Sequence, residues 1–81
     1  MDRKQIEEIL TKIFVKRVPG LKPEMLVPEA EMANLGMDSL AFSWILADME
    51  EAFGFVTQGA DVMKLKTYAD SLDFVQKQLG K

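Results

Sequence analysis

At the centre of the chain lies the hexapeptide Leu35-Gly36-Met37-Asp38-Ser39-Leu40, which leads from a loop into a helical pattern. The pattern is an apolar stripe at intervals of three and four residues, formed by Phe42, Ile45, Leu46, Met49 and Phe53. This spacing predicts an amphipathic helix that begins at Asp38 or Ser39, runs to about Phe53 and ends at Gly54. The Ser39 hydroxyl is therefore expected where a loop turns into a helix.

Two further helices are predicted on either side of this segment. An apolar stripe of Ile6, Ile9, Leu10, Ile13 and Phe14 indicates a first helix over roughly 3–17, capped by Asp2 with Gln5 and ended by Pro19-Gly20. Thr67 followed by Asp70 resembles a capping box. The last helix then carries Tyr68, Leu72, Val75 and Leu79 and ends near Gly80.

The segments between these helices are predicted to be loops with one short helical turn. Prolines and glycines over 18–37 leave no room for a long helix, and apolar anchors pack this loop onto the helices: Leu21, Met25, Leu26, Val27 and Leu35. Residues 60–65 form a short turn of helix that uses Val62, Met63 and Leu65. The expected fold is all-α, a small bundle of three main helices plus one short helix.

Composition narrows the class of protein. With 81 residues the chain is expected to form one domain, 1–81. It contains neither cysteine nor histidine, so disulfides, thiolate nucleophiles and the usual general base near neutral pH are excluded. Its beginning lacks the pattern of a secretory signal, and its longest mostly apolar run, Leu40 to Ala47, is too short to cross a bilayer. We expect a cytoplasmic protein without a membrane span.

The charge is distributed unevenly, although the net charge is only −3. Residues 24–63 contain eight acidic residues and no lysine or arginine, whereas residues 1–23 sum to +3 and residues 64–81 to +2. Such an acidic block favours cationic partner surfaces and opposes nucleic-acid phosphates, unless it is merely a solvated face.

Two neighbouring residues could cap the central helix, although a helix start needs only one side-chain cap. If Asp38 accepts the backbone N–H bonds, the Ser39 hydroxyl is left at the first turn, where it points outward and can be modified. A phosphodiester at that position would meet the positive end of the helix dipole. Gly36 allows a tight turn before the serine and a close approach by another protein, and Leu40 supplies an apolar contact beside it.

The segment Leu35-Gly36-Met37-Asp38-Ser39-Leu40 resembles the attachment motif of acyl carrier proteins, and the likeness extends over nearly all of the chain. In that family a serine within Asp-Ser-Leu receives 4'-phosphopantetheine from coenzyme A. The resemblance implies that a phosphopantetheinyl transferase modifies Ser39, that Asp38 helps to orient this enzyme and its metal, and that the arm carries acyl groups as thioesters. It also implies a non-catalytic, monomeric carrier that serves acyl-transferring and acyl-processing enzymes.

The sequence departs from this family on the face that would meet such enzymes. Carriers of fatty-acid synthesis commonly place acidic residues where this chain has Ala41 and Trp44, which favours a specialised fatty-acid or polyketide type pathway. On a helical wheel the predicted partner face consists of Leu40, Trp44, Ala47, Asp48 and Glu51. Trp44 is either a partner contact or a residue packed against the long loop.

Two acidic residues and the methionines each have two possible interpretations. Glu50 and Glu51 oppose the helix dipole near the end of the second helix, so we interpret them as recognition residues, with solubility as the alternative. The six methionines either line an acyl pocket or fill gaps in a small core; Met49 and Met63 are the candidates for the pocket.

Two other functions compete with the acyl carrier. One is a carrier of aminoacyl or peptidyl units, against which Met37 and Asp38 argue. The other is an unmodified helical interaction module, in which Ser39 only caps a helix and the acidic face with Trp44 docks a partner. An enzyme is disfavoured, because the base for a serine nucleophile would have to be a lysine or a carboxylate.

Overall fold

The computed structural model describes residues 2–80 and is all-helical. Its α-helices are α1 (Arg3–Arg17), α2 (Ser39–Phe53), α3 (Gly59–Val62) and α4 (Tyr68–Leu79). The predicted class, three main helices plus a short one with a long loop after the first, is confirmed. Met1 and Lys81, the ends of the predicted domain, lie outside the described residues.

The predicted helix starts are confirmed in their hydrogen bonds. Asp2 and Gln5 cap α1 reciprocally, with N···O distances of 2.8 and 2.9 Å. Thr67 and Asp70 cap α4 in the same way, at 3.0 and 3.2 Å. Each capping box satisfies N–H groups that have no partner inside their own helix.

The core lies where α1 packs against α2 and α4. Its buried helical side chains are Ile6, Leu10, Ile13, Phe14, Ile45, Met49, Phe53, Tyr68, Leu72 and Val75. The Phe14 and Tyr68 rings meet edge to face with their centroids 5.5 Å apart. The outer members of the predicted stripes are less buried than expected: Ile9, Phe42 and Leu46 are partly exposed, and Leu79 is exposed at the end of α4.

The loop between α1 and α2 contains two short 3₁₀ turns, Pro23–Met25 and Met32–Asn34. Leu21, Leu26 and Leu35 are buried as predicted. The prediction was wrong for Met25 and Val27, which are exposed; the loop instead buries Met32.

Backbone hydrogen bonds fasten this loop to the start of α4. The Met32 N–H donates to the Lys66 carbonyl at 2.8 Å, and the Tyr68 N–H donates to the Ala30 carbonyl at 2.9 Å. An isolated antiparallel bridge between Glu31 and Thr67 lies between them. The long loop is therefore held by main-chain bonds as well as by apolar anchors.

Helices α1 and α2 run antiparallel. The C-terminal Arg17 of α1 binds Asp48 of α2, and Lys12, five residues earlier in α1, shares a surface hollow with Ala52, which lies later in α2. At the opposite end of α1, Arg3 donates to Asp73 of α4 at 2.8 Å. The start of α2 consequently lies beyond the C-terminal end of α1.

The connection from α2 to α3 is ordered by Glu50. Gly54 ends α2 in the left-handed conformation with a φ of +78°, which favours glycine. One carboxylate oxygen of Glu50 then accepts from both the backbone N–H and the hydroxyl of Thr57, at 2.7 and 2.8 Å. The sequence did not predict this structural role of Glu50, whose carboxylate stabilises the loop that follows α2.

Helix α3 is shorter than predicted, and the roles of its neighbours differ. Leu65 is buried, whereas the Met63 side chain is 80% exposed, so Met63 is not part of the core and does not enclose an interior acyl pocket. Met49 is buried in the core. No helix within residues 2–80 combines the length and hydrophobicity that a bilayer crossing requires.

The hydrogen bonds from Thr57 predict an acid-sensitive contribution to stability. They favour the ionised carboxylate and lower the pKa of Glu50 from its ordinary value of 4.5. A lowered folded-state pKa stabilises the protein fully above the ordinary pKa, and this contribution is lost as the pH falls through the lowered one. We expect Glu50→Gln to lower the free energy of unfolding at neutral pH and to flatten its loss in acid.

Urea denaturation from neutral pH down to about pH 3 measures this effect. Glu51→Gln is the matched control, because the neighbouring carboxylate is exposed and accepts no hydrogen bond from residues 2–80. Equal pH profiles for the two variants would contradict the role assigned to Glu50.

Ser71 of α4 generates a second prediction. Its side chain is buried in the bundle, and its hydroxyl has no hydrogen-bond partner within the described part of the chain. Ser71→Ala removes the buried unpaired group and improves helix propensity, so the free energy of unfolding should rise by about 1 kcal/mol. A lower melting temperature in thermal denaturation would refute this expectation.

Candidate functional site

The site is built on the start of α2. Asp38 precedes the helix in an extended conformation, and one of its carboxylate oxygens accepts from the Ala41 N–H at 2.7 Å. The Asp38 carbonyl accepts the first helical bond, from Phe42 at 3.0 Å. Asp38 is therefore the N-cap, and Ser39 is the first residue of the helix.

This arrangement leaves the Ser39 side chain available. Ser39 is exposed, and its hydroxyl makes no hydrogen bond to any residue in 2–80. The nearby Ser43 hydroxyl donates to the Ser39 backbone carbonyl at 2.9 Å and leaves the Ser39 side chain alone. The structure thus has the arrangement that the sequence suggested, in which Asp38 caps the helix and the Ser39 hydroxyl is exposed.

Gly36 supplies the turn that leads into this site. Its φ of +77° lies in the left-handed region, where a residue with a side chain is strained. A Cβ added at Gly36 would meet no atom within 4 Å, so the requirement for glycine comes from the backbone angle. The turn connects the buried Leu35 to the exposed helix start.

An apolar pocket of about 230 Å³ opens beside Ser39. Its walls come from the long loop, the start of α2 and the segment before α4: Met32, Ala33, Met37, Asp38, Ser39, Phe42 and Leu65. Two of these residues are methionines, but neither Met32 nor Met37 was among the methionines that the sequence analysis named as pocket candidates. Their contribution depends on the main-chain bonds that bring the long loop to α4, which no local pattern reveals.

Most of the predicted partner face is exposed. The exposed fraction is 65% for Leu40 and 50% for Trp44, and Ala47 and Glu51 are also exposed. Asp48 differs from these residues, because only 18% of its side chain is exposed. The face therefore presents an apolar surface near Ser39, and about three turns further on lies the Glu51 carboxylate, which accepts no hydrogen bond from residues 2–80.

The Asp48 carboxylate forms a bidentate ion pair with Arg17. The Nε and terminal nitrogen of Arg17 donate to the two Asp48 oxygens at 2.6 and 3.0 Å. These hydrogen bonds lower the pKa of Asp48 and raise the pKa of Arg17, since each group favours the charged form of the other. Asp48 thus contributes to the face by holding Arg17.

The same guanidinium lies over Trp44, with its carbon atom 5.0 Å from the ring centroid. This distance is within the range of a cation–π interaction. Neither interpretation of Trp44 anticipated it, because the contact comes from the last residue of α1. Trp44 thus remains 50% exposed while the Arg17 guanidinium lies against its ring.

Within the described residues, no group of three or more acidic side chains converges where it could hold a metal ion. The residue types and the geometry at Ser39 instead suit the covalent attachment of a prosthetic group to an exposed hydroxyl.

The Asp38 cap gives a stability prediction. Asp38→Ala removes the acceptor of the Ala41 N–H and should lower the free energy of unfolding by about 1 kcal/mol. Asp38→Asn should retain most of the stabilisation by the cap, because asparagine is also a good N-cap residue. Urea denaturation of the two variants provides the comparison. A cap role for Asp38 requires that the alanine variant be the less stable of the two.

Comparison with known proteins identifies the family. The family described as "Phosphopantetheine attachment site" matches residues 8–76. Curated relatives named acyl carrier protein include those of Desulforapulum autotrophicum (32% identity, 90% of this chain and 96% of the relative), Thermotoga maritima (31%, 91% and 95%) and Thermosynechococcus vestitus (37%, 90% and 94%).

The match covers most of both chains and includes the helical segment that begins at Ser39. The resemblance inferred from the hexapeptide is thereby confirmed, as are the non-catalytic class and the cofactor, phosphopantetheine. The chain belongs to the acyl carrier protein family, whose members bear phosphopantetheine.

Proposed function

We propose that the Ser39 hydroxyl is the attachment point of the 4'-phosphopantetheine arm and that the chain carries acyl groups on it. The observation that carries this proposal is the exposed hydroxyl, without a partner among residues 2–80, at the first position of α2. The side-chain oxygen of a serine that caps a helix accepts a backbone N–H bond. Here the Asp38 carboxylate accepts that bond, so the Ser39 oxygen is not required for it.

The residues around Ser39 suit a negatively charged phosphodiester. Since Asp38 satisfies the Ala41 N–H, the N–H groups of Ser39 and Leu40 are donors of the first turn that have no partner among residues 2–80. These donors and the positive end of the helix dipole favour an anion bonded to the Ser39 oxygen. When attached, the arm supplies a terminal thiol that holds an acyl group as a thioester, which this cysteine-free chain cannot do itself.

The other predicted site residues have supporting roles in this proposal. Gly36 turns the chain so that the loop leaves the Ser39 hydroxyl uncovered. Asp38 holds the helix start and faces the modifying enzyme and its metal. Leu40, which is 65% exposed, offers that enzyme an apolar contact next to the reacting oxygen.

We further propose that Leu40, Trp44, Ala47, Asp48 and Glu51 form the surface for the transferase and for acyl-transferring and acyl-processing enzymes. The exposure of Leu40 and Trp44 near Ser39 supports this assignment, with Asp48 acting through Arg17. The absence of acidic residues at Ala41 and Trp44 supports a specialised fatty-acid or polyketide type pathway. We place the carrier in the cytoplasm as a monomer.

The proposal predicts a specific covalent modification. Incubation of the chain with coenzyme A and a broad-specificity phosphopantetheinyl transferase should add the mass of one phosphopantetheine group. Ser39→Ala should abolish the addition because it removes the only oxygen that we assign to it. Intact-mass spectrometry measures both results.

Ser43→Ala is the matched control, since Ser43 is an exposed serine one turn further along α2. It should be modified like the parent chain. An unchanged mass of the parent chain, or an adduct that persists in Ser39→Ala, would overturn the proposal. Loading of the modified chain with aminoacyl but not acyl donors would favour a carrier of aminoacyl units.

A further inference from the structure

The first half of α2 carries no charge. All eight residues from Leu40 to Ala47 are uncharged, and the exposed members of this run are Leu40, Ser43, Trp44 and Ala47. At about 100° per residue, these four side chains and Ser39 fall within an arc of roughly 140° around the helix axis. One face of the helix is thus largely apolar and continuous with the Ser39 hydroxyl.

The first carboxylate after this run is paired with a cation of α1, and further cations lie close by. Asp48, the first carboxylate after Ser39, accepts two hydrogen bonds from Arg17. Lys12 and Lys16 of α1 line a surface hollow together with Asp48 and Glu51. The acidic block seen in the sequence is therefore interrupted along α2, because Arg17 pairs with Asp48 and two lysines of α1 lie near Glu51.

An enzyme that acts on Ser39 must cover this face. Trp44 follows Ser39 by five residues, which is about 7.5 Å along the helix axis. A stable protein interface covers about 800 Å² on each partner. A patch of that area is several times wider than the distance from Ser39 to Trp44. Leu40 and Trp44 therefore lie within the footprint of any protein that reaches the Ser39 hydroxyl.

We propose that the transferase that modifies Ser39 docks on this chain by apolar contact with Leu40 and Trp44, with little contribution from long-range charge attraction. The proposal rests on the proposed function and specifies the chemistry of the partner: a surface with an apolar recess opposite α2. Compensation of Asp48 by Arg17 and the uncharged first half of α2 are the observations that carry it.

Arg17 and Asp48 are positioning residues in this proposal. The bidentate pair fixes the guanidinium over one part of the Trp44 ring, which limits the orientations of the indole before the partner arrives. A side chain that is ordered in advance loses less conformational entropy on binding. Breaking the pair of Arg17 and Asp48 should therefore weaken docking without changing the chemistry at Ser39.

The kinetics of phosphopantetheine transfer test the docking chemistry. With a broad-specificity transferase and coenzyme A, Trp44→Ala should raise the KM for the carrier about tenfold or more and leave kcat unchanged, as expected for a central aromatic contact. Trp44→Phe should restore most of the affinity. Leu79→Ala is the control, because α4 binds the N-terminal end of α1, away from Ser39.

Ionic strength separates apolar docking from charge attraction. Between 50 and 500 mM NaCl, the KM of the parent chain should change by less than about threefold, since salt screens exposed charges and leaves apolar contact intact. Ala47→Glu adds a carboxylate to the same face. It should leave the KM unchanged or raise it, whereas a basic partner surface would give a lower KM at low salt.

The role of the Arg17–Asp48 pair is tested by Asp48→Asn, which keeps the size of the side chain. Trp44 is the only tryptophan, so its fluorescence reports on the ring directly. We expect easier quenching by acrylamide and a KM about threefold higher at unchanged kcat, with the far-ultraviolet circular dichroism retained. Unaltered fluorescence and KM would remove Arg17 and Asp48 from the proposal.

The outcomes distinguish this inference from the proposed function. A parent chain that acquires no phosphopantetheine overturns both. A parent chain that is modified, but with a KM that rises steeply with salt or is insensitive to Trp44→Ala, overturns the docking inference and leaves Ser39 as the attachment point.

Discussion

The hydrogen bond from the Ala41 N–H to the Asp38 carboxylate determines where α2 begins, and the site depends on that position. A helix start demands one acceptor, and Asp38 provides it one residue before the serine. Ser39 consequently enters the first turn with its hydroxyl exposed and without a hydrogen bond from residues 2–80. The turn at Gly36, with its positive φ, brings the loop to this point without covering the hydroxyl.

The charges of the chain show how tertiary packing changes the meaning of a sequence pattern. Along the sequence, the middle of the chain is acidic, and Asp48 and Glu50 look like a surface for basic partners. In the structure Asp48 binds Arg17, and Glu50 binds Thr57. Arg17 belongs to α1 and Thr57 to the loop after α2, and the surface that we propose for partners is largely apolar near Ser39.

Prediction from the sequence was most accurate where the determinant is local. Capping residues and apolar stripes specify the bounds of α1, α2 and α4, because helix caps and helical spacing act over three or four residues. It was least accurate at the pocket beside Ser39. Met32 and Leu65 meet there because backbone bonds join the long loop to the residues before α4, and such bonds carry no side-chain signature.

The sequence by itself determined the helical class, the candidate serine and two candidate caps for α2, Asp38 and Ser39, and only the structure decided between these caps. Only the tertiary structure decided the surroundings of that serine. Arg17 reaches Trp44 and Asp48 because α1 and α2 pack antiparallel, and this contact joins residues at least 27 positions apart. Contacts between separate helices depend on packing, which local patterns do not encode.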